Sequence, residues 1–218
     1  MGTLKGAFIN FGAGLLGALP NIVVFQFNPD RVTRTPKMIQ PPPRDDGSGT
    51  HNANLTPGQP SETYSFTLRL DASDQLASSN PIAAASGILP TLSALELLMV
   101  PKGSLSINLF SLSGGDQPFQ VPPAKLPTVL FFWGPFRIFP VNVTSLSITE
   151  TEYDPLLNPI RAEITVSLTV LTPSQIDPGA TIAVGAYKYS QGVKEVMAAL
   201  NLANAAQLGL SASFSLSL

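Results

Sequence analysis

The chain has 218 residues, of which 44% are hydrophobic and 12% charged, with a formal net charge of −2. This composition predicts one folded core with few surface charges, since ordinary domains carry about 25% charged residues. The small net charge gives no electrostatic support for binding nucleic acid or a membrane surface. Cysteine is absent, which excludes disulfides, thiolate nucleophiles and thiolate metal sites.

Residues 1–20 are predicted to form a glycine-rich N-terminal arm. Lys5 and the apolar residues after it resemble a signal peptide, but a single basic residue and the unfavourable Pro20 argue against cleavage. The arm also contains the spacing G-x-G-x-x-G from Gly12. Pro20 leaves no room for the helix that a dinucleotide site needs, so a glycine-rich turn is the favoured interpretation.

A mainly β domain is predicted over residues 21–172. Its first strand is expected at 22–28 and ends at Asn28-Pro29, because proline cannot donate to a ladder and the residue before it avoids the helical region. Arg31 and Arg34 then begin the next strand. They could bind phosphate, but without a basic stripe an ordinary surface pair or a contact between subunits is favoured.

Proline, glycine and short polar residues predict a mobile loop over residues 36–60, because they supply little apolar area to order it. Arg44, Asp45 and Asp46 in this loop are candidates for contact with a partner. His51, the only histidine, lies in the same loop and cannot alone build a multi-histidine metal site. A similar loop is predicted over 114–127.

Strict alternation of apolar and polar residues predicts two long antiparallel strands, at residues 61–70 and 160–170. Their inward residues are expected to be Tyr64, Phe66, Leu68, Leu70, Ile160, Ala162, Ile164, Val166, Leu168 and Val170. Shorter strands are predicted at 105–109 and 129–133, and a terminal strand at 210–218.

Residues 141–153 also alternate, but their phase changes near Thr144-Ser145, which predicts a bulge. Glu150 and Glu152 are two apart and would share a strand face, so a carboxylate pair is conceivable. No neighbouring group would shift either pKa, and the interpretation as a catalytic pair is therefore not favoured.

Two helices are predicted. Residues 93–99 carry Ser93 and Glu96 at capping-box spacing. Residues 190–208 lie in a helical extension that covers 173–218. The apolar stripe of this second helix consists of Val193, Val196, Met197 and Leu200.

Several ordered motifs then resemble one family. FQFNPDRVTRT from Phe25, ETYSFTLRLD from Glu62 and PTVLFFWGPFRIFPVNVTSLSITETEYDPLLNPIRAEITVSLTVL from Pro127 are similar to the tube-like domain of contractile injection system and contractile phage-tail proteins. The likeness is greatest to the adaptor between the spike hub and the inner tube. Members often carry a C-terminal LysM module, whose Gly-Asp-Thr-Leu signature residues 173–218 lack.

The resemblance implies a curled antiparallel β sandwich or barrel with a flanking helix, assembled as a hexameric ring whose inner sheets form a channel wall. It implies no catalysis, cofactor, metal, nucleic-acid binding or membrane insertion. Implied partners are the inner tube protein, the spike or hub protein and baseplate components, with assembly in the bacterial cytoplasm. The candidate interface and turn residues are Asn28, Pro29, Arg31, Arg34, Arg44, Asp45, Asp46, Trp133, Asp154 and Arg161.

Two alternatives stay open beside the adaptor ring. The chain could be the inner tail-tube subunit itself. It could instead be a secreted or surface-attached β-rich binding module, with its N-terminus as a true signal. An enzyme is the third choice, because no nucleophile, base or metal-ligand pattern accompanies the fold signals.

Overall fold

The computed structural model describes residues 3–11, 21–38, 58–101 and 126–207. Its strands are β1 (Ala7–Asn10), β2 (Asn21–Val24), β3 (Val32–Lys37), β4 (Ser61–Asp71), β5 (Val129–Phe132), β6 (Ile138–Tyr153) and β7 (Pro159–Val170). Its helices are α1 (Ser73–Ala77), α2 (Pro81–Ser86), α3 (Leu89–Glu96) and α4 (Thr181–Gln207).

The strands make one seven-stranded sheet with the order β2-β1-β5-β6-β7-β4-β3. Every neighbouring pair is antiparallel. Strands β2 and β3 are its edges, so within the described residues the sheet is open. The predicted class, mainly antiparallel β with a few helices, is confirmed.

Aromatic contacts demonstrate that the sheet is strongly curled. Phe8 in β1 and Phe66 in β4 have three strands between them, yet their ring centroids are 6.3 Å apart. Neighbouring strands lie about 4.8 Å apart, so a flat sheet would separate these rings by roughly 19 Å. Phe131 in β5 stacks on Phe66 at 5.4 Å. The two halves of the sheet therefore face each other across one aromatic core.

Strand β6 joins these halves. Its first residues pair with β5 and its later ones with β7, and Val141 has a partner on both sides. The register shifts between Val143 and Ser145, which leaves Thr144 as a bulged residue. The predicted bulge is confirmed, and it bends the strand at the point where the sheet turns around the core.

The alternation predicted for β4 and β7 is also confirmed. Phe66 is opposite Val166 and Leu68 is opposite Ile164, with all four side chains buried. Each such burial contributes roughly 1.5–3 kcal/mol. Ile160, at the start of β7, is only partly buried.

The expectation that Glu150 and Glu152 share a face is wrong. A second register shift separates them, so Glu150 is opposite Ala162 whereas Glu152 is opposite Arg161. Ala162 and Arg161 are adjacent in β7 and point to opposite faces. The bulge at Thr151 has broken the alternation, and the two carboxylates do not form a pair.

Strand β2 ends at Val24, earlier than the predicted Asn28. The Phe25 N–H still donates to the Gly6 carbonyl oxygen at 2.8 Å, and the chain bends after it. Strand β3 begins at Val32, as expected. Within the predicted arm, β1 lies inside the sheet between β2 and β5, and Phe8 is fully buried. This part of the arm therefore belongs to the β domain.

The helices differ more from expectation. Helix α3 begins at Leu89, not Ser93, because Pro90 suits the first turn, where no N–H partner is needed. Ser93 lies inside the helix, so the capping box does not form. Helices α1 and α2 were not predicted. Asn80 caps α2, its Oδ1 accepting from the Ile82 N–H at 2.9 Å.

Helix α4 begins at Thr181, nine residues before the predicted start, and its N-terminal half packs on the sheet. Ala183, Tyr187 and Ser190 form its buried side. The predicted stripe is largely exposed: Val196 and Leu200 are 58% and 54% exposed. The predicted strands at 105–109 and 210–218, and most of the loops at 36–60 and 114–127, lie outside the described residues.

Candidate subunit interface

The outward face of β3, β4, β7 and β6 is covered with hydroxyl groups. Antiparallel partners share a face, and in the middle of these strands the residues that alternate with the core residues are serine or threonine, whereas charged residues such as Lys37, Arg69 and Glu163 lie toward the ends. Thr67 Oγ1 lies 3.4 Å from Thr165 Oγ1 across two strands. This surface, named the hydroxyl face, consists of Thr33, Thr35, Thr63, Ser65, Thr67, Ser145, Ser147, Thr149, Thr165, Ser167 and Thr169.

Ion pairs border the hydroxyl face at the α1 end of the sheet. Arg69 contacts Glu163 at 3.1 Å and Asp30 at 3.4 Å. The predicted site residue Arg161 contacts Asp71 at 2.8 Å and Glu152 at 2.6 Å. These charges are therefore balanced within one chain.

The Arg161 guanidinium is held in place by the start of α1. The Ser73 N–H donates to Asp71 Oδ1 at 2.7 Å, and the Arg161 Nη2 donates to Ser73 Oγ at 3.2 Å. Hydrogen bonds from Ser73, together with Arg161, hold the pKa of Asp71 below its ordinary value. Arg161 thus serves the turn from β4 into α1.

At the other end of the sheet lies a buried carboxylate, Glu62, which is 6% exposed. Arg34 from β3 pairs with it, Lys194 from α4 contacts its Oε2 at 2.9 Å, and the Tyr64 hydroxyl donates to its Oε1 at 3.0 Å. Burial alone would raise the pKa of Glu62, but hydrogen bonds from Lys194 and Arg34 outweigh it and lower that pKa. Burial also raises the pKa of Tyr64. These contacts fix α4 to β3 and β4.

Asn28 fastens the N-terminal residues to the bend after β2. Its Oδ1 accepts from the Gly6 N–H at 2.9 Å, and its Nδ2 donates to the Leu4 carbonyl at 2.8 Å. Beside it is an open groove of about 950 Å³, lined in part by Asn28, Pro29, Arg31 and Arg161. The structure therefore brings four of the predicted site residues together.

Trp133 stands on the aromatic core at the β5–β6 turn. Its ring stacks on Phe131 at 6.1 Å and lies 6.3 Å from that of Phe25. A Cβ on Gly6 would come within 2.8 Å of the Trp133 ring, so the chain needs glycine there. Trp133 is partly buried rather than fully enclosed. It packs Gly6, just before β1, and Phe25, just after β2, against the end of β5.

Asp154 organises the β6–β7 turn. Its Oδ1 accepts from the N–H groups of Leu156 and Asn158, each at 2.8 Å, and its Oδ2 accepts from Asn158 Nδ2 at 2.8 Å. These bonds lower the pKa of Asp154. The turn presents Leu156 and Leu157, which are 77% and 79% exposed.

The predicted site residues thus separate into groups. Asn28, Arg34, Trp133, Asp154 and Arg161 each have partners within the chain. Arg44, Asp45 and Asp46 lie outside the described residues. In the described part of the chain, no group of three or more His, Cys, Asp or Glu residues is placed to hold a metal ion. None of the described helices has the length and hydropathy to span a membrane.

Sequence reasoning missed Glu62, Lys194 and the exposed leucine pair. Glu62 has the same parity as Tyr64 and Phe66, so the alternation already placed it on the core face. Two leucines between Pro155 and Pro159 were an equally readable signal, because turns are usually polar.

Comparison with protein-family models and with curated protein sequences gives no significant match to this chain.

Proposed function

We propose that this chain is a structural subunit of a contractile injection system or phage-like tail particle. In this proposal six copies form a ring that joins the spike hub and baseplate to the inner tube and initiates tube assembly. The chain is not an enzyme and takes no cofactor. Its partners are other copies, the tube protein, the hub protein and baseplate components, met in the bacterial cytoplasm.

The hydroxyl face is the observation that supports this proposal most. It extends over β3, β4, β6 and β7, and its eleven serine and threonine side chains form an uncharged area between the charged residues at the ends of these strands. A neutral polar surface is wetted by water but exerts no net field on charged material beside it. These properties suit the wall of a channel. In the proposed ring, the curled sheets of several copies together form this wall, as in a β sandwich or barrel of the tail-tube type.

The core supports the same proposal from the other side of the sheet. Strands β4, β6 and β7 have apolar residues on the inner face, and α4 covers the end of the core at Phe139. Lys194 Nζ lies 5.6 Å from the Phe139 ring centroid. A curled antiparallel sheet with one flanking helix is what the sequence resemblance implies for the family.

Copy number in purified tail-like particles from the native producer tests the function. Quantitative mass spectrometry is expected to find about six copies per particle, one ring, beside many copies of the tube protein. Dozens to hundreds of copies would make this chain the tube subunit itself. Absence from every particle would overturn the proposal and favour a secreted β-rich module.

A loop replacement tests assembly separately from folding. Lys37 and Ser61 are paired across β3 and β4, so a short glycine-serine linker in place of residues 40–57 can close the hairpin. We expect a folded subunit with an unchanged circular dichroism spectrum but a lower particle yield, because the loop would contact a partner. A linker of the native length and scrambled sequence is the control. Normal yield with the short linker would contradict a role for this loop.

A further inference from the structure

The two ends of β6 carry different apolar features. The leucine tip consists of Leu156 and Leu157, immediately after the strand. The helix groove, formed where the β5–β6 turn meets α4, is lined mainly by apolar residues and by one lysine: Phe136, Lys188, Tyr189, Gly192, Val193, Val196 and Met197. It has a volume of about 360 Å³. Among the described residues, no other part of the chain covers Leu156 and Leu157 or the sides of the groove at Phe136 and Val196.

The leucine tip is held rigidly in an unfavourable conformation. Leu157 has a φ of +65°, a left-handed value that costs roughly 1–2 kcal/mol for an L-residue with a side chain. Asp154 fixes the turn from within, and Asn158 Nδ2 donates to the Ala85 carbonyl at 3.3 Å. The backbone of the turn is therefore ordered before binding, so that binding would cost mainly the rotamer freedom of the two leucine side chains.

The helix groove is equally fixed. The Tyr189 hydroxyl donates to the Pro135 carbonyl at 2.8 Å, which joins α4 to the β5–β6 turn. Gly192 leaves open space in the groove, because nothing lies within 4 Å of the position of a Cβ there. Phe136 and Val196 are 56% and 58% exposed at its sides.

A chain cannot place its own tip in its own groove. Strand β6 has 16 residues, a contour length of roughly 50 Å, and although it bends at Thr144 the groove adjoins its first residue and the tip follows its last, so the two features lie apart. We propose that the leucine tip of one copy binds the helix groove of a second copy, head to tail. Identical copies supply both halves, and such a contact closes into a ring or continues as a stack according to its rotation.

The proposal rests on the proposed function in one respect, that copies of this chain meet. Two leucines bury less area than the roughly 1,000 Å² of an independently stable interface. The contact is therefore weak alone and is strengthened by repetition around an assembly. Disulfide trapping suits such a contact, and the natural absence of cysteine makes every trapped bond unambiguous.

The experiment mixes full-length L157C with full-length V196C under mild oxidation. One of the two variants carries a mass tag, so that a cross-linked heterodimer, the expected product, is distinguished from both homodimers on a non-reducing gel. Met38, which is 63% exposed at the end of β3, supplies the control. M38C mixed with V196C should give at least about tenfold less heterodimer, because residue 38 would not meet the groove. Equal cross-linking in both mixtures, or none in either, would overturn the proposal.

Charged variants test the direction of the contact by sedimentation velocity. L157D disrupts the tip and V196D disrupts the groove. The dissociation constant for self-association of each variant alone should therefore be at least about tenfold higher than that of the wild type. Mixed together they retain one intact tip and one intact groove and should recover dimers, but no longer oligomers. Aspartate tolerates the left-handed conformation, and thermal melts check folding.

Besides the cross-linking outcomes above, two further results would overturn this head-to-tail contact. One is wild-type association by both variants. The other combines two observations: V196D associates like the wild type, and L157C cross-links to V196C only after residues 209–218 are deleted. That result would assign the groove to the chain's own C-terminal segment. The copy number in particles is independent of both, so the proposed function can stand when this contact fails.

Discussion

Glu62 joins the sheet to α4 through a buried carboxylate that pairs with Lys194. Glu62→Gln keeps the shape but leaves Arg34 and Lys194 without their counter-charge, so we expect a loss of about 1–3 kcal/mol in the free energy of unfolding. Urea denaturation measures it. Glu163→Gln is the matched control, because its pair with Arg69 is exposed and should contribute about 0–1 kcal/mol. Equal losses would contradict a special role for Glu62.

The same residue predicts a pH dependence. Because the pKa of Glu62 is lower in the folded chain than its ordinary 4.5, the charged form is bound more strongly when the chain is folded. Its stabilisation is complete above pH 4.5 and is lost as the pH falls through the lowered pKa. The difference in stability between wild type and Glu62→Gln should therefore shrink on acidification. A constant difference from neutral pH to pH 3 would contradict this sign.

Gly87 is needed for its backbone conformation. Its φ is +55°, and a Cβ there would collide with the Pro159 carbonyl oxygen. We expect Gly87→Ala to lower the free energy of unfolding by about 2–4 kcal/mol, because strain and collision act together. Gly185 in α4 has open space around it, so Gly185→Ala should instead stabilise the chain by about 0.5–1 kcal/mol. Thermal melts of both variants decide between these signs.

The face on which a residue lies was predictable where apolar and polar residues alternated along a strand without interruption. Tyr64 and Ile164 were placed on the core face by parity alone, and the same parity contained Glu62. The face of Glu152 was not predictable, because a one-residue bulge inverts the alternation and no residue type marks it. The end of β2 depends on the hydrogen bonds of Asn28 to Gly6, a residue 22 positions away, which no local pattern contains.

Among the elements, the bulge in β6 gives the sharpest prediction. Thr144 and Ser145 together oppose Ser167, so deleting Thr144 leaves Val143 facing in and Ser145 facing out. We expect this deletion variant to fold with reduced stability and less curl. Deleting Thr165 from the regular part of β7 moves every later residue of the strand to the opposite face of the sheet, and that variant should not fold.

Circular dichroism and the dispersion of amide resonances compare the two deletions. Loss of folding in both would mean that the bend itself is indispensable to the core. Normal folding in both would contradict the register assigned to the β6–β7 pair.

Helices were less predictable than strands for a physical reason. The packed side of α4 uses Ala183, Tyr187 and Ser190, whose small or polar side chains give no clear apolar stripe. The visible stripe around Val196 belongs to the exposed half instead. Helix α3 was displaced because Ser93 and Glu96 matched a cap, whereas Pro90 determines the first turn. Tertiary contacts decide which side of α4 is packed, whereas a local residue, Pro90, decides where α3 begins.

At the scale of the whole molecule, three surfaces have separate roles in the proposed assembly. The hydroxyl face is neutral and extended, the leucine tip is apolar and convex, and the helix groove is apolar and concave. The low charged content of 12% accords with a surface largely covered by copies and partners. The fold class was predictable from alternation and the leucine tip from its two flanking prolines, but the hydroxyl face and the helix groove were not, because they depend on which elements become neighbours.

A lysine on the hydroxyl face distinguishes a channel wall from a subunit contact. Thr165 is exposed in the middle of β7, so Thr165→Lys should change the free energy of unfolding by at most about 1 kcal/mol. In the proposed ring it adds one positive charge per copy to the channel. We expect particles to assemble normally and the passage of charged material through them to change.

Particle yield and a delivery assay measure the two consequences of Thr165→Lys separately. Ser93→Lys on α3 is the matched control, because Ser93 is exposed and lies away from the hydroxyl face. If Thr165→Lys abolishes assembly while Ser93→Lys does not, the hydroxyl face is buried between subunits and does not line a channel. If neither assembly nor passage changes, the face looks outward, and the channel wall must be formed by another surface of the chain.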